Sequence, residues 1–490
     1  MTHSPQNEAS ILTQIANKEM LNRGFLTDYS ETLLKELSLI NNPAEPVQEA
    51  GFRDLRNLLW ISIDNDDSED LDQLTYAEKS PSGKDKIYVA VADVDALVHS
   101  GSYIDQYAAH NTTSVYTPTK IFPMLPSKLS TNLTSLNEHT DRCAIVVEIE
   151  IEADGEFTQS QIYPALVRNQ AKLTYNGVAD WLKNKVDLPN PATNRSEILA
   201  QIAIQDAIAQ NIKKYRYHQG ALSFVVTEIE PIIIDGIAIG LEEKTHNRAH
   251  GIIENYMIAA NVIVARYMLQ EKLPTLRRVV RMPKRWDRIV ALAENLGETL
   301  PPAADAKALR AFLLKQQKSS PSTFSDLSLA IIKLIGRGEY VAAIPGDRSI
   351  GHFDLALPNY AHSTAPNRRY PDLLLQRQLK NHLRGKGLHY TEEELKQLAE
   401  QCTQKEDDAT KVERRVCKSA AAMVLAKHIG QRYSAIVTGV SDSGTFVRLF
   451  DPPIEGKLTQ GFQGVDVGDR LDVKLIHTDV ANGYIDFARV

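Results

Sequence analysis

Hydrophobic and polar positions recur with two different periods along the chain, and they divide it into helical and strand-forming regions. In residues 1–50, apolar side chains recur every three to four positions, as at Ile11 and Ile15 and again at Leu33 and Leu37. This period is typical of amphipathic helices and predicts a helical hairpin. Such a segment is too short to form a catalytic domain.

The pattern changes to one of strands after residue 57. Alternating or continuous apolar runs predict strands at residues 58–63, 86–94, 144–153 and 161–168. Long helical patterns then dominate residues 196–315. The apolar positions of residues 250–270 surround most of the helix they predict, so we expect that helix to be buried.

The last third of the chain returns from helices to strands. Residues 316–326 read as an exposed connection, and a helix is expected to start near Pro371, because proline in a first helical turn costs no hydrogen bond. Thr391 and Glu394 form a capping box that predicts a helix running toward Ala426. Residues 430–490 contain five short strands separated by turn residues, which suits a small Greek-key barrel.

Composition and charge limit the classes of protein that fit. The 490 residues are 43% apolar and 24% charged, which describes a globular chain of two or three domains. No apolar run predicts a membrane span. The start of the chain has no secretory signal, and the three cysteines form no disulfide framework, so we expect a cytoplasmic protein. The net charge of −7 means that any site for a polyanion must be local.

The strongest chemical signal is an acidic run in residues 63–74, IDNDDSEDLDQL. It places six acids in nine positions with no base: Asp64, Asp66, Asp67, Glu69, Asp70 and Asp72. A solvated acidic loop is the simpler explanation. If the loop is compact, a hard cation with oxygen ligands would neutralise it. A calcium EF-hand is excluded by Glu69 where glycine is required and by Thr75 where glutamate is required, so magnesium is the better candidate.

This run and four later blocks resemble the ribonuclease II / RNase R family, whose signature is D-x5-D-x-D-D. The later blocks follow in the family's order at residues 122–151, 171–182, 250–262 and 351–379. The resemblance covers roughly residues 53–385, and the last sixty residues resemble the family's S1-type OB domain. Five collinear blocks make a chance match untenable.

The resemblance implies an α+β fold with an RNB catalytic domain, in which helices surround a mixed sheet, followed by a small five-stranded OB barrel. The expected domains are a short helical N-terminal segment (1–50), the catalytic domain with its following helices (51–428) and the S1-type RNA-binding domain (429–490). Family members usually begin with cold-shock domains, so this chain is expected to be a short form.

The resemblance assigns the first three family aspartates to Asp64, Asp70 and Asp72, which would hold magnesium, or manganese, against the scissile phosphate. The fourth position is Gln73, whose amide oxygen can bind a metal but supplies no charge. This departure therefore bears on the binding of a second metal ion or on the activation of the attacking water. We consider the hypothesis that one of the extra acids, Asp66 or Asp67, compensates.

Arg368 matches the family arginine that grips the phosphate at the RNA 3′ end, and a guanidinium fork suits that contact. Arg369 is a second candidate, although an Arg-Arg pair before a helix is often only a solvated surface feature. The family more often has serine and an aliphatic residue where this chain has Ala365 and Asn367.

The resemblance also assigns aromatic and acidic side chains to RNA. Tyr116 matches the residue that packs against a base near the end of the channel and sets the final product length, and Tyr175 matches one that positions the last nucleotides. Stacking on an aromatic ring tolerates any base. Glu254 matches a family glutamate near the 3′-terminal nucleotide, with a buried salt bridge as the alternative. In the terminal domain, Tyr433 and Phe446 fit the RNA-binding pattern of S1 domains.

We therefore predict a processive 3′-to-5′ exoribonuclease that hydrolyses single-stranded RNA to nucleoside 5′-monophosphates with a divalent metal. It is expected to be a monomer that uses neither DNA nor a membrane. The alternative is a catalytically impaired RNA-binding regulator, for which Gln73 is the main argument. A phosphohydrolase for small nucleotides is disfavoured by the terminal barrel and by two basic segments, residues 276–288 and 367–387, which contain six Lys or Arg each.

Overall fold

A computed structural model describes residues 5–47, 51–81, 83–226, 228–244, 246–346, 350–442 and 444–490. The chain begins with helices α1 (Pro5–Asn22) and α2 (Glu31–Leu39). α1 buries Leu12 and Ala16 against residues 409–420, whereas α2 buries Leu33 in a separate cluster beside the central sheet. The expected hairpin is therefore wrong in its packing: both helices form, but each packs on a later part of the chain.

The next part of the chain builds the central sheet. Its strands, and a small ribbon of two, are β1 (Arg53–Asp54), β2 (Trp60–Asp64), β3 (Gln73–Glu78), β4 (Asp85–Ala92), β5 (Val115–Tyr116), β6 (Ile121–Phe122), β7 (Asp141–Ile151) and β8 (Phe157–Thr174). Helix α3 (Tyr103–Asn111) lies between β4 and β5. All four runs that the sequence predicted as strands contribute to this sheet.

The six-stranded sheet has the order β1-β8-β2-β3-β4-β7 and is mixed. β8 runs parallel to β1 and β2 along its second half and antiparallel to β7 along its first half, so the sheet closes on itself. Alternate residues of β4 enter different cores: Val89 packs on one face and Ala90 on the other. Because side chains alternate along a strand, this explains why the predicted strands read as nearly continuous apolar runs.

Helices surround this sheet. They are α4 (Tyr175–Asn184), α5 (Ser196–Gln219), α6 (Arg248–Gln270), α7 (Trp286–Asn295), α8 (Ala306–Ser319) and α9 (Phe324–Ile335). Among the described residues, α6 alone is long and apolar enough to cross a membrane by composition, but 72% of its apolar window is buried inside the protein. It is the central helix of the core, as the sequence predicted.

Two strand pairs lie among these helices, and the sequence pattern did not reveal them. They are β9 (Glu228–Ile234) with β10 (Ile237–Lys244), and β11 (Thr275–Val279) with β12 (Glu339–Ala343). The connection expected at residues 316–326 is also only partly correct. α8 continues to Ser319, and α9 begins at Phe324, whose side chain is buried.

The chain ends with two helices and a barrel. α10 (Tyr370–Leu383) starts one residue before Pro371, and α11 (Glu392–Leu425) opens with the predicted capping box of Thr391 and Glu394. The last strands are β13 (Arg432–Ser441), β14 (Gly444–Leu449), β15 (Glu455–Gln460), β16 (Arg470–Asp479) and β17 (Tyr484–Arg489). They form a closed barrel in the order β13-β14-β15-β17-β16. The predicted α+β class and the five-stranded barrel are confirmed.

Candidate active site

A cavity of about 720 Å³ lies between the acidic run, α6 and the segment that leads into α10. Nine predicted site residues from separate parts of the catalytic domain line it: Asp64, Asp70, Asp72, Gln73, Tyr116, Tyr175, Glu254, Arg368 and Arg369. The chain thus brings residues that are as much as 305 positions apart into one cavity.

The acidic loop (residues 65–72) connects β2, which ends at Asp64, to β3, which begins at Gln73. The Lys172 ammonium supports the loop by donating to the Ser68 carbonyl. Asp66 and Asp67 are exposed and do not line the cavity. The structure therefore gives no support to the hypothesis that one of them replaces the missing fourth aspartate.

Asp72 is almost completely buried, and its two oxygens accept hydrogen bonds from consecutive residues. The backbone amide of Asn367 donates to Oδ1 (2.9 Å), and Nε of Arg368 donates to Oδ2 (3.2 Å). Burial raises the pKa of Asp72 to about 7, although the Arg368 guanidinium opposes that rise. Asp72 is thus a buried carboxylate that depends on a nearby cation to stay ionised.

Asp64 also depends on a nearby cation to stay ionised, and it has fewer hydrogen-bond partners than Asp72. Burial raises its pKa to about 7, with Arg368 again acting in the opposite direction. Its buried Oδ2 has no hydrogen-bond partner among the described residues. An orphaned carboxylate oxygen beside two further aspartates fits a hard divalent cation.

Among the described residues, the carboxylates of the cavity do not surround a single metal position. Within the described ranges, no three His, Cys, Asp or Glu side chains are close enough together to hold one metal ion. Protein donors occupy oxygens of two of the carboxylates: Tyr116 Oη donates to Asp70 Oδ2 (2.8 Å), and the Asn367 backbone amide and Arg368 Nε donate to Asp72. The donor set fits Mg²⁺ or Mn²⁺, and binding would require those contacts to rearrange.

Both predicted tyrosines flank the cavity. Tyr116 keeps 39% of its surface exposed, so its ring is accessible although its hydroxyl reaches Asp70. Burial raises the pKa of Tyr116 above its ordinary value, which keeps the hydroxyl protonated and able to donate. Tyr175 stacks on His250 with ring centroids 3.9 Å apart. One face of Tyr175 is therefore already covered.

The two arginines before α10 have different surroundings. Arg368 is 41% exposed and pairs with Asp72 across the cavity. Arg369 is largely buried, and it donates to Asp372 at 2.7 Å. Although burial opposes its charge, Asp372 holds the pKa of Arg369 above its ordinary value. Arg368 is thus the arginine available to a ligand, and the role of Arg369 in RNA binding stays a prediction.

Glu254 lies on the cavity side of α6, and its side chain is 56% exposed. It contacts Arg216 at 3.3 Å, and that arginine is nearly fully buried. The predicted alternative, a buried salt bridge, is therefore only partly correct, because Arg216 is buried and Glu254 is exposed. The exposed face of Glu254 is available to a ligand.

The wall opposite the acidic loop contains residues that the sequence analysis did not single out. The side chains of His352 and Tyr360 meet edge to face, as do those of Tyr360 and His362, and Tyr360 Oη accepts from Asn261 (3.2 Å). Burial lowers the pKa of His352 to about 3, so its ring is neutral. Both histidines lie in the block at residues 351–379, which was the one signal that could have identified them.

The two aromatic residues predicted in the barrel face different environments. Tyr433 shares its face of β13 with buried Ala435 and packs against the barrel core. Phe446 points outward on β14, opposite Lys457 in the register of β15, and the Lys418 ammonium lies 6.0 Å from its ring centroid. Phe446 therefore combines an aromatic face with cations, as RNA-binding surfaces do, whereas Tyr433 is mainly a packing residue.

Comparisons with known proteins agree with this geometry. The RNB-domain model matches residues 52–385, and the model of the RNase II-type exonuclease C-terminal S1 domain matches residues 431–490. The chain therefore belongs to the RNB-domain family, and its last part is similar to the C-terminal S1 domain of RNase II-type exonucleases.

Among its relatives are proteins named Ribonuclease R. That of Thermotoga maritima is 27% identical over 94% of this chain, and that of Escherichia coli strain K12 is 31% identical over 90%. The chain spans 68% and 58% of their lengths, respectively. It thus covers well under the full length of these relatives.

Solved structures show the same fold. Mycoplasma genitalium RNase R in complex with ribose-methylated single-stranded RNA superposes with a TM-score of 0.89 at 24% identity, covering 98% of this chain and 78% of that one. Yeast Ssd1, described as a pseudonuclease, superposes with a TM-score of 0.73 at 18% identity, covering 94% and 57%. The fold is therefore shared by proteins with and without nuclease activity.

Proposed function

We propose that this protein is a divalent-metal-dependent 3′-to-5′ exoribonuclease that processively hydrolyses single-stranded RNA to nucleoside 5′-monophosphates. The observation that carries the proposal is the convergence of the three aspartates, Arg368 and the two tyrosines on one cavity. The direction of degradation and the product rest on the family resemblance. We further propose that it acts as a cytoplasmic monomer on RNA rather than DNA.

Each side chain has a role that its surroundings support. Asp64, Asp70 and Asp72 would hold Mg²⁺ or Mn²⁺, which when bound lowers the pKa of a water and neutralises charge on the scissile phosphate. Arg368 would move its guanidinium from Asp72 to the phosphate and orient it. The accessible ring of Tyr116 would stack on a terminal base.

The test is an incubation of single-stranded RNA with the purified protein and Mg²⁺ or Mn²⁺. RNA labelled at its 5′ end should shorten to a small terminal oligonucleotide, and RNA labelled at its 3′ end should release mononucleotide at once. Asp72→Asn should abolish hydrolysis while RNA binding persists. Asp66→Asn is the matched control, because Asp66 belongs to the same loop but is exposed outside the cavity. Full activity of Asp72→Asn would contradict the assignment.

A second candidate is an RNA-binding protein with impaired catalysis. Gln73 supports it, because the motif contributes three carboxylates where the family has four. The fold itself does not decide, as its likeness to a pseudonuclease shows. A gel shift of intact RNA in the presence of Mg²⁺ and Mn²⁺, with no shortening, would favour this candidate.

A further inference from the structure

Two consecutive buried residues, Thr134 and Ser135, touch the two loops that carry the catalytic groups. They follow a π-helical turn at Lys128–Leu133, and neither is more than 4% exposed. One of the two loops is the acidic loop. The other is the arginine loop (residues 364–369), which carries Arg368.

Ser135 holds the acidic loop on both sides of Asp70. The Leu71 amide donates to Ser135 Oγ (2.9 Å), and Ser135 Oγ donates to the Glu69 carbonyl (2.8 Å). A single hydroxyl thereby fixes the backbone before and after a predicted metal ligand. The adjacent Leu136 amide also donates to the Leu71 carbonyl (2.9 Å).

Thr134 holds the arginine loop. Its Oγ1 donates to the side-chain oxygen of Asn367, Oδ1 (2.5 Å), and also lies 2.9 Å from the Leu129 carbonyl of the π-helical turn. The backbone of Asn367 in turn donates to Asp72. One residue of the arginine loop therefore connects Thr134 to the buried carboxylate.

The side chain of Asn367 buries a polar amide, which argues for a role other than packing. It is fully buried, and its Nδ2 has no hydrogen-bond partner among the described residues. An aliphatic side chain could fill such a position without burying a polar group. The hydrogen bond between Thr134 and the Asn367 side chain is a contact that an aliphatic residue could not make.

We propose that Thr134 and Ser135 form a clamp that sets the distance between the three aspartates and Arg368. They are positioning residues, because they touch neither of the reacting groups directly. The effect that we expect of the clamp on the rate of hydrolysis rests on the proposed nuclease function. Small displacements of catalytic groups lower such rates by large factors. The effect of the clamp on the two loops does not depend on that function.

The test compares hydroxyl deletions with a matched control. Thr134→Val and Ser135→Ala should each lower kcat about 10- to 100-fold and change the Kd for RNA by less than threefold. Thr134→Ser, which keeps the hydroxyl, should restore kcat to within threefold of the original. Ser130→Ala is the control, because Ser130 is a similarly buried serine of the same turn, and in the described part of the chain its hydroxyl donates only to the Leu125 carbonyl (3.3 Å).

Combining the two deletions adds a criterion. Because either deletion already releases one of the two loops from the clamp, Thr134→Val with Ser135→Ala should lower kcat by less than the product of the single effects. Rates for Thr134→Val and Ser135→Ala that equal that of Ser130→Ala would overturn the clamp. So would equal losses in Thr134→Val and Thr134→Ser.

Hydrogen exchange separates the clamp from the nuclease proposal. Thr134→Val and Ser135→Ala should speed amide exchange in residues 65–73 and 364–370 at least tenfold, whereas Ser130→Ala should leave it unchanged. If the original protein does not cleave RNA, the proposed function fails, and this measurement alone decides the clamp. Unchanged exchange in both loops would refute it.

Discussion

The carboxylate of Asp354 is the basis of our most quantitative prediction. It lies in the tight hairpin between His352 and Leu357, whose backbones exchange hydrogen bonds. It is largely buried, and its Oδ1 has no hydrogen-bond partner among the described residues. Burial raises the pKa of Asp354 from 3.8 to about 6. The ionised side chain should therefore destabilise the folded protein at neutral pH.

The magnitude follows from the pKa difference between the two states. A rise of about two pH units corresponds to about 3 kcal/mol against the ionised form. Because the folded state binds the proton more tightly, the penalty is complete above the folded pKa and shrinks as the pH falls toward the unfolded value. At pH 8 it is about 3 kcal/mol, and at pH 5 it is about half of that.

Asp354→Asn should remove most of this penalty. We expect the free energy of unfolding to increase by about 1 to 3 kcal/mol at pH 8 and by about half as much at pH 5, since the amide must still be buried. Urea denaturation followed by fluorescence suits the test, because Trp286 packs on Phe353 beside this hairpin. Asp180→Asn, at an exposed position on α4, is the control. A stabilisation that is absent, or that grows on acidification, would refute the reasoning.

Three other predictions concern the cavity and the same hairpin. Tyr116→Phe removes the donor to Asp70 Oδ2 and should tighten Mn²⁺ binding two- to tenfold in the absence of RNA, as measured by electron paramagnetic resonance; weaker binding would contradict this. Gln73→Asp adds a fourth carboxylate to the cavity and should also tighten Mn²⁺ binding, with Gln73→Glu as the comparison for side-chain length. Ala356 has a φ of +52°, so Ala356→Gly should raise the free energy of unfolding by about 0.5 to 1 kcal/mol in thermal denaturation, and a loss would count against strain at this position.

The sequence predicted those parts of the fold whose pattern is local. The strands of the central sheet, the buried helix α6, the capping box at Thr391 and the five-stranded barrel all have a period or a cap that can be read within a dozen residues. The strand pair β11–β12 was missed, because its members lie about 60 positions apart and no hairpin turn marks them. The packing of α1 on residues 409–420 was missed for the same reason.

The candidate site follows the same division. Its charged and aromatic side chains could be assigned because they match family positions, and all of them except Tyr116 lie in the blocks that resemble the family. The sequence could not show which carboxylate oxygen accepts a hydrogen bond from which donor. The contacts of Tyr116 with Asp70 and of Arg368 with Asp72 join residues 46 and 296 positions apart, and the exposure of Asp66 depends on how the loop turns.

The long separation between Asp72 and Arg368 also has a consequence for synthesis of the protein. A ribosome adds about 5 to 20 residues per second, so about 15 to 60 s pass between the two residues. During that interval the emerging chain carries its acidic loop without the guanidinium that completes the cavity. Until Arg368 has been added, the growing polypeptide on its own messenger therefore holds only part of the machinery that we propose cuts RNA.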